Sequence, residues 1–195
     1  MLTDSELIEN ILNNNSQKAF EELVNRYQLL VTRTCLGFVN RYADAEDITQ
    51  EVFIEVYQSL KNFRKESKLS TWLYRIAVNK SLNFIRKQKR HNNLRSIENF
   101  FTVGNSSKSE SIEIASPKSA DADWNIEQEE DKQMLKRAIN SLAENQRIAF
   151  VLSKYHDLSY KEIAEVMSTT LSSVESLLFR ARQNLQSKLL KEINK

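Results

Sequence analysis

Two glycines, Gly37 and Gly104, and one proline, Pro117, are all that a chain of 195 residues contains. Hairpins, bulges and tight turns consume residues that tolerate positive φ, so a β-sandwich or barrel cannot be built from this text. Helices need few such residues. With 41% hydrophobic and 28% charged residues, the composition suits helices that bury one face and solvate the other. The expected fold class is all-α, as two small helical domains joined by a flexible acidic linker, the second a helix-turn-helix.

The near-neutral balance of +2 conceals strong segregation of charge. Residues 61–95 carry eleven Lys/Arg against one acid, 96–133 carry three against nine, and 134–195 carry ten against six. Two basic blocks flanking an acidic one suggest two surfaces for a polyanion and a connector that avoids it. A single cysteine, Cys35, rules out an internal disulfide framework and any multi-cysteine zinc site. The opening MLTDSELIENIL lacks the basic then apolar order of a secretory signal, and no apolar run is long enough to cross a bilayer. A cytoplasmic protein without membrane insertion is expected.

Apolar spacing divides the chain. Thr3-x-x-Glu6 reads as a capping box before Leu7, Ile8, Ile11 and Leu12, and Asn13 to Asn15 mark a break. Phe20, Leu23, Val24, Tyr27, Leu30 and Val31 define a second helix. Asp44 is the expected N-cap of a third, with Ile48, Val52, Phe53, Val56, Tyr57 and Leu60 inward. A fourth is expected over 71–90, with Leu73, Ile76, Ala77, Leu82 and Ile85 inward. This places a first domain at 1–95, a Ser-rich acidic linker at 96–124 and a second domain at 125–195. In the second domain, Ser159-x-x-Glu162 caps a short helix, and Ser172-x-x-Glu175 is expected to cap a longer one after the turn STTLS. Ile163, Ala164, Met167, Val174 and Leu177 would form their shared core. A short helix, a tight turn and a long helix make a helix-turn-helix, whose second helix presents its first turns to the major groove. Ser172, Ser173, Ser176, Arg180 and Arg182 have side chains that bond phosphates or guanine. Glu175 could accept from a cytosine amino group, but the cap is the favoured role.

In the first domain, 62–90 mixes strong positive charge with Phe63, Trp72, Tyr74 and Phe84. Cations follow a phosphate backbone and aromatic faces stack on unpaired bases, although Trp72 and Phe84 also stand at core spacing. The third helix differs. Its outer face bears Glu46, Asp47, Gln50, Glu51 and Glu55, a stripe suited to solvent or to a basic protein surface rather than to DNA.

Three stretches in this order, DAEDITQEVF, FRKESKLSTWLYRIAVNKSLNFIRKQKR and SLAENQRIAFVLSKYHDLSYKEIAEVMSTTLSSVESLLFRARQNL, resemble the extracytoplasmic-function (ECF) group of bacterial RNA polymerase sigma factors. The resemblance covers nearly the whole chain apart from the linker. It implies that Asp44, Glu46, Asp47, Gln50, Glu51 and Glu55 bind core RNA polymerase. It implies that the loop with Asn62, Phe63, Arg64, Lys65 and Lys68 captures a flipped base of the minus-ten element. Ser70, Thr71, Trp72, Arg75, Asn79, Lys80, Asn83, Arg86 and Lys87 would hold the opened strand. Ser172, Ser173, Glu175, Ser176, Phe179, Arg180 and Arg182 would read the minus-thirty-five element as duplex. Promoter DNA, duplex and single-stranded, and core polymerase are the implied partners; an anti-sigma factor lying between the two domains is a further partner that the resemblance allows. Departures from the family pattern bear on promoter choice: Lys65 where glycine is frequent, Asn83 where aspartate is frequent, and LSSVE at 171–175 in place of the usual turn.

The rival reading is a free-standing helix-turn-helix regulator, which leaves the basic aromatic first domain and the acidic stripe unexplained. An enzyme acting on nucleic acid would need a metal-binding carboxylate cluster or a nucleophile with its base. His91 and His156 are not spaced as a ligand pair. No catalytic residue, cofactor or metal is therefore expected.

Overall fold

The structure is a computed structural model that describes residues 2–39, 41–102 and 133–193. Among these residues every regular element is helical. The first domain comprises α1 (Asp4–Asn14), α2 (Gln17–Leu36), α3 (Tyr42–Ser59), a 3₁₀ turn (Leu60–Asn62) and α4 (Leu69–Thr102). The second comprises α5 (133–140), α6 (Glu144–Tyr155), α7 (Tyr160–Met167) and α8 (Leu171–Ile193).

Local chemistry accounts for most boundaries. Thr3 Oγ1 accepts from the Glu6 amide while the Glu6 carboxylate accepts from the Thr3 amide at 2.7 Å, so the first capping box forms. Asn15 then adopts a left-handed conformation and ends α1. Ser159 and Glu162 form the second box at the start of α7. Two expected caps are corrected. The N-cap of α3 is Arg41, without a side-chain bond, and Asp44 lies within the first turn, where its charge faces the positive end of the helix dipole. The N-cap of α8 is not Ser172: Ser168 turns left-handed at the end of α7, Thr170 Oγ1 then accepts from the Ser173 amide at 3.2 Å, and the helix has begun by Leu171. Glu175 is therefore not a capping acid. The fourth helix also outruns its expected end at 90, because no helix-breaking residue stands between Ser70 and Gly104. Residues 96–102 of the expected linker continue this helix, while 103–124, with the first residues of the second domain to 132, lie outside the described residues.

The first core lies between α1, α2, α3 and the start of α4, around Leu7, Leu23, Ile48, Val52, Leu60 and Leu73. Burying each of these aliphatic side chains contributes roughly 1.5–3 kcal/mol relative to exposure. Cys35 is buried in the same core. Tyr57, expected inward, is 56% exposed and meets Phe20 edge to face at 5.0 Å between ring centres. The second core joins Ala138, Ile139, Ala149, Leu152, Ile163, Val174 and Leu178; it is Leu178 that is fully inside, with Leu177 half-buried.

That second core is not confined to the second domain. Phe38, at the end of α2, and Tyr74, Val78 and Leu82, on one side of α4, belong to it. The Arg147 guanidinium of α6 is buried against the Phe38 ring at 5.3 Å and donates to the Phe38 carbonyl. The two domains share an apolar seam.

Candidate polymerase and promoter interface

Two surfaces of the first domain carry the candidate residues. On α3, Glu46, Asp47, Gln50 and Glu51 are exposed and Asp44 is half-buried, so the acidic stripe is presented outward. Glu55 departs from it, because Lys80 reaches its carboxylate from α4 at 3.4 Å. Beside the stripe, α2 and α3 enclose an apolar groove of about 740 Å³ walled by Phe20, Val24, Phe53, Ile54 and Tyr57. Ile54 and Tyr57 are 57% and 56% exposed there, side by side with the other apolar walls of the groove. The acidic stripe was legible from the spacing of its carboxylates; the groove was not.

The second surface begins in the loop after the 3₁₀ turn. Asn62, Phe63, Arg64, Trp72 and Arg75 come together around a cavity of about 490 Å³, with Glu66 and Ser67 completing its near wall. Phe63 and Trp72 pack with ring centres 5.1 Å apart, which fixes the aromatic side. Lys65 turns the loop at φ 57, a conformation that favours glycine, and pairs with Glu9 at 3.2 Å. Along α4, Asn79, Asn83, Arg86 and Lys87 continue outward, and Arg86 donates to Asn83 at 3.3 Å. Three candidates sit elsewhere. Thr71 is buried at 3% exposure, Ser70 is half-buried, and Lys80 points toward α3. Lys68 is exposed beside the loop.

In the second domain Ser172, Glu175, Ser176, Phe179, Arg180 and Arg182 are exposed along α8, and Ser173 is half-buried. Phe179 is 60% exposed, an apolar face of the kind that contacts thymine methyl groups. Arg182 donates to the Tyr160 hydroxyl at 3.2 Å, which steadies it against α7. Freed from the capping role, Glu175 stands in the same row.

Several groups at the seam escaped the sequence reading. His156 Nε2 lies 3.1 Å from Thr34 Oγ1, whose proton goes to the Leu30 carbonyl at 2.7 Å, so the ring is the donor. Its ring meets Tyr74 edge to face at 5.0 Å. Burial, with the Arg33 charge adding to it, depresses the His156 pKa to about 4. Burial also lowers Arg147 to about 10. The Glu162 carboxyl is held low, chiefly by its bonds from Ser159 and then by Lys68. Among the described residues, no group of three His, Cys, Asp or Glu could hold a metal ion, and no helix is long and apolar enough to cross a membrane.

Comparison with known proteins identifies the family. Residues 23–91 match the family model Sigma-70 region 2, and 132–185 match Sigma-70, region 4. The chain is 37% identical over 191 residues to the ECF RNA polymerase sigma-E factor of Escherichia coli K12, covering 96% of this chain and 95% of that one. It is 34% identical over 193 residues to the sigma-E factor of Haemophilus influenzae, covering 96% of each. Among solved structures, CnrH in complex with the cytosolic domain of CnrY shares the fold at a TM-score of 0.63 and 20% identity, over 95% of this chain and 96% of that one. The sigma factor RpoE of Bartonella quintana, in complex with the anti-sigma factor NepR, matches at 0.58 and 24%, over 88% and 97%. The chain belongs to the ECF group of sigma factors, and its function is promoter-specific initiation of transcription with RNA polymerase. The free-standing regulator is not favoured.

Proposed function

We propose that the three surfaces divide initiation between them. The stripe Asp44, Glu46, Asp47, Gln50 and Glu51, with the apolar groove beside it, docks on core polymerase through a basic surface flanking an apolar one. The cavity at the start of α4 takes a base turned out of the minus-ten element, with Phe63 and Trp72 as stacking faces and Arg64 and Arg75 for the flanking phosphates. The outward face of α4 then holds the opened strand, and the exposed row of α8 reads the minus-thirty-five duplex. Residues 1–95 and 125–195 act as the two DNA-contacting units, tethered by the stretch between them. Bond-making belongs to the polymerase, and this chain supplies binding alone, in the cytoplasm where promoter DNA lies. An anti-sigma factor is a further partner, by analogy with the complexes of CnrH and of RpoE.

The observation that carries this reading is the convergence of Asn62, Phe63, Arg64, Trp72 and Arg75 on one cavity. The polymerase half is tested by charge reversal. Asp47→Lys with Glu51→Lys should abolish binding to core polymerase in a pull-down while the circular dichroism spectrum stays unchanged, since both side chains are exposed. Undiminished binding removes α3 from the polymerase interface.

A further inference from the structure

We propose that a cavity between the α2–α3 turn, α4 and α6 binds a phosphate dianion, free or as the monoester of a small metabolite. Arg41 and Lys89 of the first domain and Arg147 of the second would hold it.

These three cations line a cavity of about 280 Å³, together with the amides of Gln88 and Asn140 and one carboxylate, Asp44. Three positive charges against one negative leave the lining at +2. A phosphate monoester carries about −1.5 to −2 at neutral pH, so the two charges match. Small-molecule sites run from roughly 300 to 1,000 Å³. A cavity at the lower end of that range suits a ligand with few atoms beyond the phosphate.

Arg147 is the side chain that asks for an anion. It is 7% exposed, and its Nε finds no hydrogen-bond partner among the described residues. Its charge meets the Phe38 ring and carbonyl, neither of which carries a countercharge. Burial is the one cause of its lowered pKa, so Asp44 does not neutralise it, although both line the same cavity. A buried guanidinium without a carboxylate is costly. A dianion in the cavity supplies both the missing charge and an acceptor for Nε. Arg41 and Lys89 are exposed and pair with no acid among the described residues. The planar fork of Arg41 fits two phosphate oxygens, and the Lys89 ammonium adds a mobile point charge.

Promoter DNA also offers phosphates, but the placement disfavours it. Successive residues of a helix are about 100° apart around its axis. Ile85, Gln88 and Lys89, which line the cavity, therefore lie on a different side of α4 from Asn79, Asn83 and Arg86. A strand held on the outward face does not reach them. Because the lining comes from both domains, a bound dianion also favours the arrangement in which they are packed together.

The test is equilibrium dialysis of the full chain against radiolabelled ribose 5-phosphate, near neutral pH and at constant ionic strength. One saturable site per chain is expected. Arg41→Gln with Lys89→Gln should weaken binding about tenfold or more, and both side chains are exposed, so the fold is kept. Lys18→Gln with Lys161→Gln removes the same charge from exposed positions outside the cavity and should leave binding intact. Displacement by an equal concentration of inorganic phosphate assigns the site to the free anion, and resistance to it assigns the ester. Three results overturn the site: no saturable binding, undiminished binding by the Arg41 and Lys89 variant, or equal loss in both double variants. Displacement of the label by a single-stranded oligonucleotide at equal nucleotide concentration also overturns it, in favour of a DNA backbone contact. Dialysis involves neither polymerase nor promoter, so its failure leaves the sigma-factor assignment untouched.

Discussion

Arg75 and Arg86 stand eleven positions apart on α4, about 16 Å along a helix rising ~1.5 Å per residue. A stacked strand advances ~3.4 Å per nucleotide, so this face spans about five nucleotides of the opened strand. Arg86 and Lys87 close its far end and are exposed. Replacing both by glutamine keeps helix propensity almost unchanged and removes two phosphate contacts. Each contact to a single strand contributes about −0.7 to the slope of log K against log salt, so the double variant should be shallower by about 1.4. Across a fourfold rise in salt, from about 50 to 200 mM, that difference amounts to about sevenfold in relative affinity. The assay is anisotropy of the assembled holoenzyme on a forked promoter with a single-stranded minus-ten segment, titrated at several salt concentrations. The holoenzyme is the correct species, because Arg86 is held by Glu144 in the free chain. Parallel slopes for variant and wild type would refute the assignment of this face, whatever the absolute affinities.

Two other perturbations have defined signs. His156 titrates at about 4 in the fold against 6.5 ordinarily, so the native state binds fewer protons between those values. Its contribution to stability is therefore complete above pH 6.5 and lost as pH falls toward 4. Protonation puts a charge beside Arg33 at the seam, and only Asp157 opposes that effect among the causes of the shift. His156→Gln, which keeps a donor for Thr34, should flatten the fall in melting temperature over that range; parallel curves would discount the histidine. Lys65→Gly should stabilise the fold by about 0.5 kcal/mol, because relief of a left-handed φ outweighs both the added freedom of the unfolded chain and an exposed ion pair with Glu9. A urea midpoint shifted downward would contradict this.

What could be read from sequence was what short-range physics decides. The boxes at Thr3 and Ser159 each need one hydroxyl and one carboxylate three residues on, and both formed. At α8 two hydroxyls competed. Thr170 prevailed because α7 ends at Ser168, two residues earlier, a detail set by the fold of the turn rather than by any local motif. The stripe of α4 was read for one core, whereas Tyr74 and Val78 on the same helix serve another. Nothing within a helical window announces that second partner, since apolar residues on two sides of a helix look alike whichever neighbour covers them. Gly37 did carry a signal: a lone glycine among 100 residues otherwise free of it implies a turn or a close approach. Which of the two applied depended on Val151, far away in the chain. Likewise, the cations of the strand-holding face were legible as a basic block, but their pairing with Glu144, Glu162 and Glu165 was not.

The central claim is that this chain directs polymerase to promoters and opens them. Run-off transcription on a pool of genomic promoter fragments, with purified core polymerase and with or without the protein, tests it most directly. New discrete transcripts, accompanied by permanganate-reactive thymines just upstream of each start, are the predicted result. Tight, sequence-specific duplex binding in the absence of polymerase, with no new transcript in its presence, would contradict it.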